Sequence, residues 1–258
     1  LKTLADLRGT MVAGSLGMAL IGAVNVLFFP TIQNMEGLVA FLDGLPPVFK
    51  AMIGDLSAMV RLEGFLHVKL FDPLPLLLAI FGIAHGSQLL AGEIEHKHVD
   101  LLLSRPIRRW RVVLAKFLAV ASCLTVLALA LAVTVVICAR VIGAEVDNGR
   151  LVLATLNGLP LTWLFTALAL LGSSLAAHPR RAAFGAAAVV VLSYVLETLR
   201  LVSPALAGWR SVSLFAYHKA GYPLVGVPDP SAVMILLGLA VLLVAAACVA
   251  WERRDLVS

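Results

Sequence analysis

The chain has 258 residues, of which 61% are hydrophobic and 14% charged, against about 25% charged in a soluble globular domain. Water is therefore the wrong solvent for most of this surface, and roughly 20 apolar residues per crossing leave room for about six spans and for no large soluble domain. The net charge of +5 sits on basic residues beside apolar runs and not on a polar face interleaved with aromatics, which argues against a nucleic-acid partner.

The hydropathy pattern predicts an all-α, polytopic membrane protein, a single transmembrane domain over 1–258 with six spans at 11–29, 74–91, 112–139, 151–176, 182–202 and 232–251. The first run is too long for the apolar part of a signal peptide and reads as a span. With Leu1 and not Met at the start, a few further cytosolic residues are expected ahead of it. Ala13, Gly14, Gly17 and Gly22 in the first span, and Gly172, Ser173 and Ser174 in the fourth, are small enough for close helix packing in lipid. The connection 30–73 carries Asp43, Lys50, Asp55, Arg61, Glu63 and Lys69 among apolar patches and reads as one or two amphipathic interfacial helices. The connection 203–231 combines four prolines with Trp209, Phe215, Tyr217 and Tyr222, which suits short broken helices dipping into the outer leaflet.

An even number of spans puts both termini on one side. Placing them in the cytosol gathers Lys2, Arg8, Lys97, Arg105, Arg108, Arg109, Arg111, Lys116, Arg180, Arg181, Arg253 and Arg254 on short inner segments, as the positive-inside rule favours. Arg108, Arg109, Arg180, Arg181, Arg253 and Arg254 are then anchors at headgroup level, with His178 beside them. Glu197 and Arg200, three residues apart at the outer end of the fifth span, can pair. Asn25, Asn157, Pro160, Ser193 and Tyr194 lie in or near spans, where interhelical hydrogen bonding is the expected role and lining of a substrate route the alternative. Cys123, Cys138 and Cys248 lie in apolar stretches without metal-ligand spacing and read as small buried hydrophobes.

The most informative segment is the inner loop 92–111, Gly-Glu-Ile-Glu-His-Lys-His-Val-Asp-Leu-Leu-Leu-Ser-Arg-Pro-Ile-Arg-Arg-Trp-Arg. Glu93 with Lys97 and His96 with Asp100 have the spacing of helical ion pairs, and Pro106 ends a helix after Leu103. Ile94, Val99, Leu101, Leu102 and Leu103 require burial. Either they dock on another protein or they pack beneath their own bundle. Glu93, Glu95, His96, His98 and Asp100 form a solvated charge run, since helical geometry sends His96 and His98 to different faces and so disfavours a shared metal ion.

In Gly92, Glu93, Glu95, Asp100, Leu101, Leu102, Leu103, Ser104, Pro106, Ile107, Arg109 and Lys116 the loop resembles the type-two ATP-binding-cassette exporter permeases, departing at Ile94 and from His96 to Val99. The closing Trp251-Glu252-Arg253-Arg254-Asp255-Leu256 and the run Ser213-Leu214-Phe215-Ala216-Tyr217 are similar to segments of the same family. The resemblance implies a permease of the cell's inner or plasma membrane that works with two ATPase subunits and a second permease, identical or related. Glu93, Glu95, Asp100, Leu101, Leu102, Leu103 and Pro106 would form a coupling helix seated in a groove of the ATPase, and residues 1–10 the end of an interfacial helix. No Gly-x-x-x-x-Gly-Lys-Ser/Thr phosphate loop occurs in the chain. No catalytic residue, metal or cofactor is therefore expected on this chain, with ATP and Mg bound by the partner and lipid around the spans. An ion-coupled secondary transporter is the alternative, disfavoured by the lack of carboxylates at mid-span. An intramembrane hydrolase built on Ser15, His85 and Ser87 lacks the nucleophile-elbow spacing.

Overall fold

The structure is a computed structural model that describes residues 7–33, 44, 46, 61–95, 108–219, 224 and 229–254. Helix α1 spans Arg8–Gln33; α2, Leu62–Leu66, runs through a π-helical turn at His67–Phe71 to α3, Leu74–Glu95; α4 spans Arg109–Val141 and α5 Asn148–Leu175. Helix α6 covers Pro179–Val202, a 3-10 helix Pro204–Ser211, the short α7 Leu214–Lys219, and α8 Pro230–Arg253. Among the described residues there is no strand, and six helical segments are long and apolar enough to cross a membrane.

The ends of these helices follow from local chemistry. Asp147 starts α5 by accepting hydrogen bonds from the amides of Gly149 and Arg150 at 2.8 and 3.2 Å, which satisfies two donors that a helix start leaves free. Asp229 starts α8 in the same way, and the hydroxyl and amide of Ser231 hold its carboxyl below the usual carboxylate range. Helix α4 stops at Gly143, whose φ of 70° few other residues adopt without strain. The Ala144 amide then reaches the Ala139 carbonyl and the Gly143 amide reaches Arg140, closing the helix as a Schellman turn.

Helix α5 is the centre of the bundle and packs against α3, α4, α6 and α8. Within its most apolar stretch 72% of residues are buried, against 28% for α1, α6 and α8. The outer helices turn Val12, Leu16, Leu20, Phe184, Leu192, Met234 and Val241 outward, the surface that hydrocarbon solvates. Glycine sets the closest approaches. A Cβ on Gly14 would stand 2.9 Å from Leu127 Cδ2 and one on Gly22 2.9 Å from Leu131 Cδ1, so α1 packs directly on α4. Gly82 and Gly86 bring α3 against Thr166 and Ala169 of α5, and Gly172 brings α5 against Ala182 of α6.

Three expectations change. Gly17 has nothing within 4 Å of its Cβ position, and Ala13 is exposed, so only half of the small residues expected to pack in the first span do so. Helix α1 runs through Pro30 to Gln33, because a proline late in a helix removes only one bond of a ladder that is ending. The second crossing begins at Leu62, not after Pro73, with Leu62, Phe65, Leu66, Leu70 and Phe71 buried. The Asp72 amide bonds to the His67 carbonyl and the Leu77 amide to the Pro73 carbonyl, so the helical path continues across the proline. The end of the connection 30–73 is therefore part of the bundle, and the interfacial helices expected within 34–60 lie outside the described residues, apart from positions 44 and 46.

Candidate functional site at the loop end of the bundle

Helix α3 enters and α4 leaves the loop 92–111, so the end of the bundle where they meet is the place to look for the loop's anchorage. Glu95 is exposed, whereas Ile94 packs against the core. Lys116, 8% exposed, lies on the first turns of α4, and its ammonium pairs with the Glu93 carboxylate. The same ammonium donates to the Leu89 carbonyl at 2.6 Å. Burying an ammonium is costly unless it is paired and hydrogen-bonded, and here both conditions are met within one turn of α3. Among the described residues, the other Glu93 oxygen, Oε2, has no hydrogen-bond partner. Glu93 thus ties the two arms of the loop together at its root.

Bonds from Ser173, Arg254 and Arg109 close a circuit through four helices at this end. The Ser173 hydroxyl of α5 accepts from the Leu90 and Ala91 amides of α3 at 3.1 and 2.9 Å and donates to the Ser87 carbonyl at 2.6 Å. The Arg254 guanidinium, just past α8, donates to the Ser174 and Ala176 carbonyls at 2.9 and 3.0 Å, neutralising the negative end of α5. Arg109 of α4 donates to the Arg254 carbonyl at 3.1 Å, and the Cys248 thiol lies 3.8 Å from the Trp110 carbonyl. Trp251 is buried beside them. Helices α3, α4, α8 and α5 are therefore joined in a ring by side chains that grip one another's backbones.

Of the residues expected at this end, Arg109 and Arg254 belong to the ring, while Arg108, Arg180, Arg181 and Arg253 are exposed around it. Asp100, Leu101, Leu102, Leu103 and Pro106 lie outside the described residues, as do Lys97, His96 and His98. The sequence reading gave Arg254 only a headgroup role and Ser173 only a packing role, and it did not pair Glu93 with Lys116. The signal available for Lys116 was a lysine eight residues into an apolar helix, which requires a partner.

At the opposite end a second cluster pins the short segment between α6 and α8. Glu197, 1% exposed, receives Arg200 Nε and Nη2 at 3.0 and 2.7 Å, the pair expected from their spacing, and also the Ser213 hydroxyl at 2.8 Å. Ser193 accepts from the Leu214 amide at 3.2 Å, and Asn157 donates to the His218 carbonyl at 3.0 Å. Phe215 fills the space between Phe165 and Tyr194, with the Tyr194 ring set edge-on at 5.3 Å. Asn157, Ser193 and Tyr194 thus make interhelical contacts, whereas Asn25 bonds to the Ile21 carbonyl of its own helix. Sequence reasoning missed His218, which carries no motif and is 4% exposed.

Curated proteins offer no match to this chain. The family described as ABC-2 family transporter protein matches residues 18–256, from the first membrane helix to beyond the arginine that closes the ring. The chain therefore belongs to the ABC-2 transporter family and is a multi-pass membrane component of an ABC transporter.

Proposed function

We propose that the chain is the permease subunit of an ATP-driven exporter, in which a separate ATPase hydrolyses Mg-ATP and this chain moves the substrate. In this reading the termini and the loop 92–111 face the cytosol of an inner or plasma membrane. Two permeases, identical or related, work with two ATPase subunits. The observation that carries the reading is the ring of backbone-gripping bonds at the root of the loop. Such anchorage stabilises the bundle and also fixes both arms of the loop to the helices around them. A loop that receives force from a partner must be fixed to the helices that it moves.

In the proposed cycle, ATP binding and release change the separation of the two ATPase subunits. Residues 93–103 ride on that motion, and the Glu93–Lys116 pair passes it to α3 and α4 together. Arg254 and Ser173 extend it to α8 and α5, so the bundle tilts as a body between two arrangements whose populations the ATPase sets by binding them unequally. Hydrolytic chemistry is left to the partner, and this chain supplies the route and the lever.

Replacing Leu101 and Leu102 together by Asp tests the docking surface. The variant is expected to insert normally and to lose co-purification with the ATPase. Unchanged complex yield and unchanged ATP hydrolysis would contradict the proposal.

A further inference from the structure

Helix α5 carries an internal control for its own hydroxyls. Thr155, Thr162 and Thr166 each donate to the carbonyl four residues back, and Ser174 to the one three residues back, the ordinary way for a hydroxyl to be satisfied in a membrane helix. Ser173 departs from that pattern. It is wholly buried and spends its donor and its acceptor capacity on α3.

The position of the contact gives it meaning. In a regular helix the Ala91 amide would bond to the Ser87 carbonyl, four residues earlier. The Ser173 hydroxyl lies between these two groups, taking the hydrogen of the Ala91 amide and giving its own to the Ser87 carbonyl. A side chain that bonds to both ends of a rung competes with that rung, and side chains that enter the ladder are an identifiable cause of helix bending. Two residues on, the Leu89 carbonyl, which by spacing would serve the Glu93 amide, is shared with Lys116. The turn 87–93 is thus held by α4 and α5 as well as by itself. Immediately before it, Gly86 sets α3 against the backbone of α5, a Cβ there coming within 3.0 Å of the Thr166 carbonyl oxygen. Close backbone contact at Gly86, a rung bridged by Ser173 at Ser87 and Ala91, and an ion pair at Glu93 follow one another as fulcrum, joint and handle.

We infer that the Ser173 hydroxyl is a positioning group that makes the last turn of α3 a swivel, through which movement of the loop 92–111 is passed to α5. The inference rests on the proposed coupling to an ATPase and adds the residue that transmits it. A swivel of this kind costs little to bend, because the hydroxyl can follow the amides and the carbonyl as the turn rotates. A plain rung would have to break.

Thr and Val at this position have nearly the same shape and differ in the hydroxyl, so Ser173→Thr and Ser173→Val separate hydrogen bonding from packing. In lipid nanodiscs the Val variant is expected to exchange the Leu90 and Ala91 amides roughly tenfold faster than the Thr variant, as the loss of one hydrogen-bond acceptor implies. In the complex with its ATPase, addition of a non-hydrolysable ATP analogue should change exchange across residues 88–95 and 170–176 together in wild type and Ser173→Thr. In Ser173→Val the change should stay in 88–95 alone, with complex yield preserved. A Val variant that matches the Thr variant in both measurements would overturn the swivel and leave the ATP-driven reading intact. Absence of any bound ATPase in wild type would overturn both. Should both substitutions prove too bulky to fold, Ser173→Ala in the same complex must likewise confine the response to 88–95, and a response still shared with 170–176 would overturn the swivel.

Discussion

The two ends of the bundle differ in what their polar bonds join. At the loop end Lys116, Ser173, Arg254 and Arg109 reach across to the backbones of neighbouring helices, so that a displacement of α3, α4, α5 or α8 there is felt by the others. At the opposite end the side-chain cluster of Glu197 with Arg200 and Ser213 joins the bonds of Ser193 and Asn157 to Leu214 and His218 in holding one short segment against the bundle. The first arrangement suits the transmission of a displacement. The second holds one short segment in place.

The contrast can be broken most severely at Lys116. Lys116→Met leaves the Glu93 carboxylate partly buried and without its cation, a loss of about 3–5 kcal/mol for such a pair. Thermal unfolding in detergent should show a large drop that Glu93→Gln, added to Lys116→Met, partly restores. Arg254→Ala strips the carbonyls of Ser174 and Ala176 of their donor, and hydrogen bonds to charged groups contribute about 1.5–3 kcal/mol. Its signature is faster amide exchange in α5, α8 and the start of α4 together. Ser213→Ala at the other end removes one hydroxyl from a carboxylate that keeps Arg200, an effect at the low end of the same range, about 1.5 kcal/mol. Exchange should rise over residues 211–219 and stay unchanged over 88–95. Asp147→Ala deletes a helix cap at about 1 kcal/mol and should loosen only the first turn of α5. If Arg254→Ala acted as locally as Ser213→Ala, the distinction between the two ends would fail.

Much of this architecture was legible in the sequence because lipid imposes a simple rule. Six apolar runs became six crossings, and the Glu197–Arg200 pair followed from helical spacing alone. Hydropathy failed where a helix continues through a proline, as at Pro30 and Pro73, because a proline late in a helix or after its turn carries no apolar signal of its own. It was also silent on which helix is central. The most apolar stretch of α5 has a mean hydropathy of 1.6 against 3.0 for that of α8, since inside a membrane bundle the buried helix can hold Asn157, Thr162 and Ser173 while the lipid-facing helix cannot. Partner choice was the other blind spot. Lys116 and Glu93 lie 23 residues apart, and Arg254 and Ser174 80, distances at which periodicity says nothing. The resemblance marked Glu93 and Lys116 as members of one pattern; the fold brings them into contact.

The central claim, that an ATPase on a separate chain drives this bundle through the loop 92–111, is tested most directly by purifying the tagged chain in mild detergent from its own host and identifying what stays bound. The account predicts a chain with a phosphate loop in stoichiometric amount, lost when Leu101 and Leu102 are both replaced by Asp. A chain that purifies alone and transports on an ion gradient without ATP would contradict it.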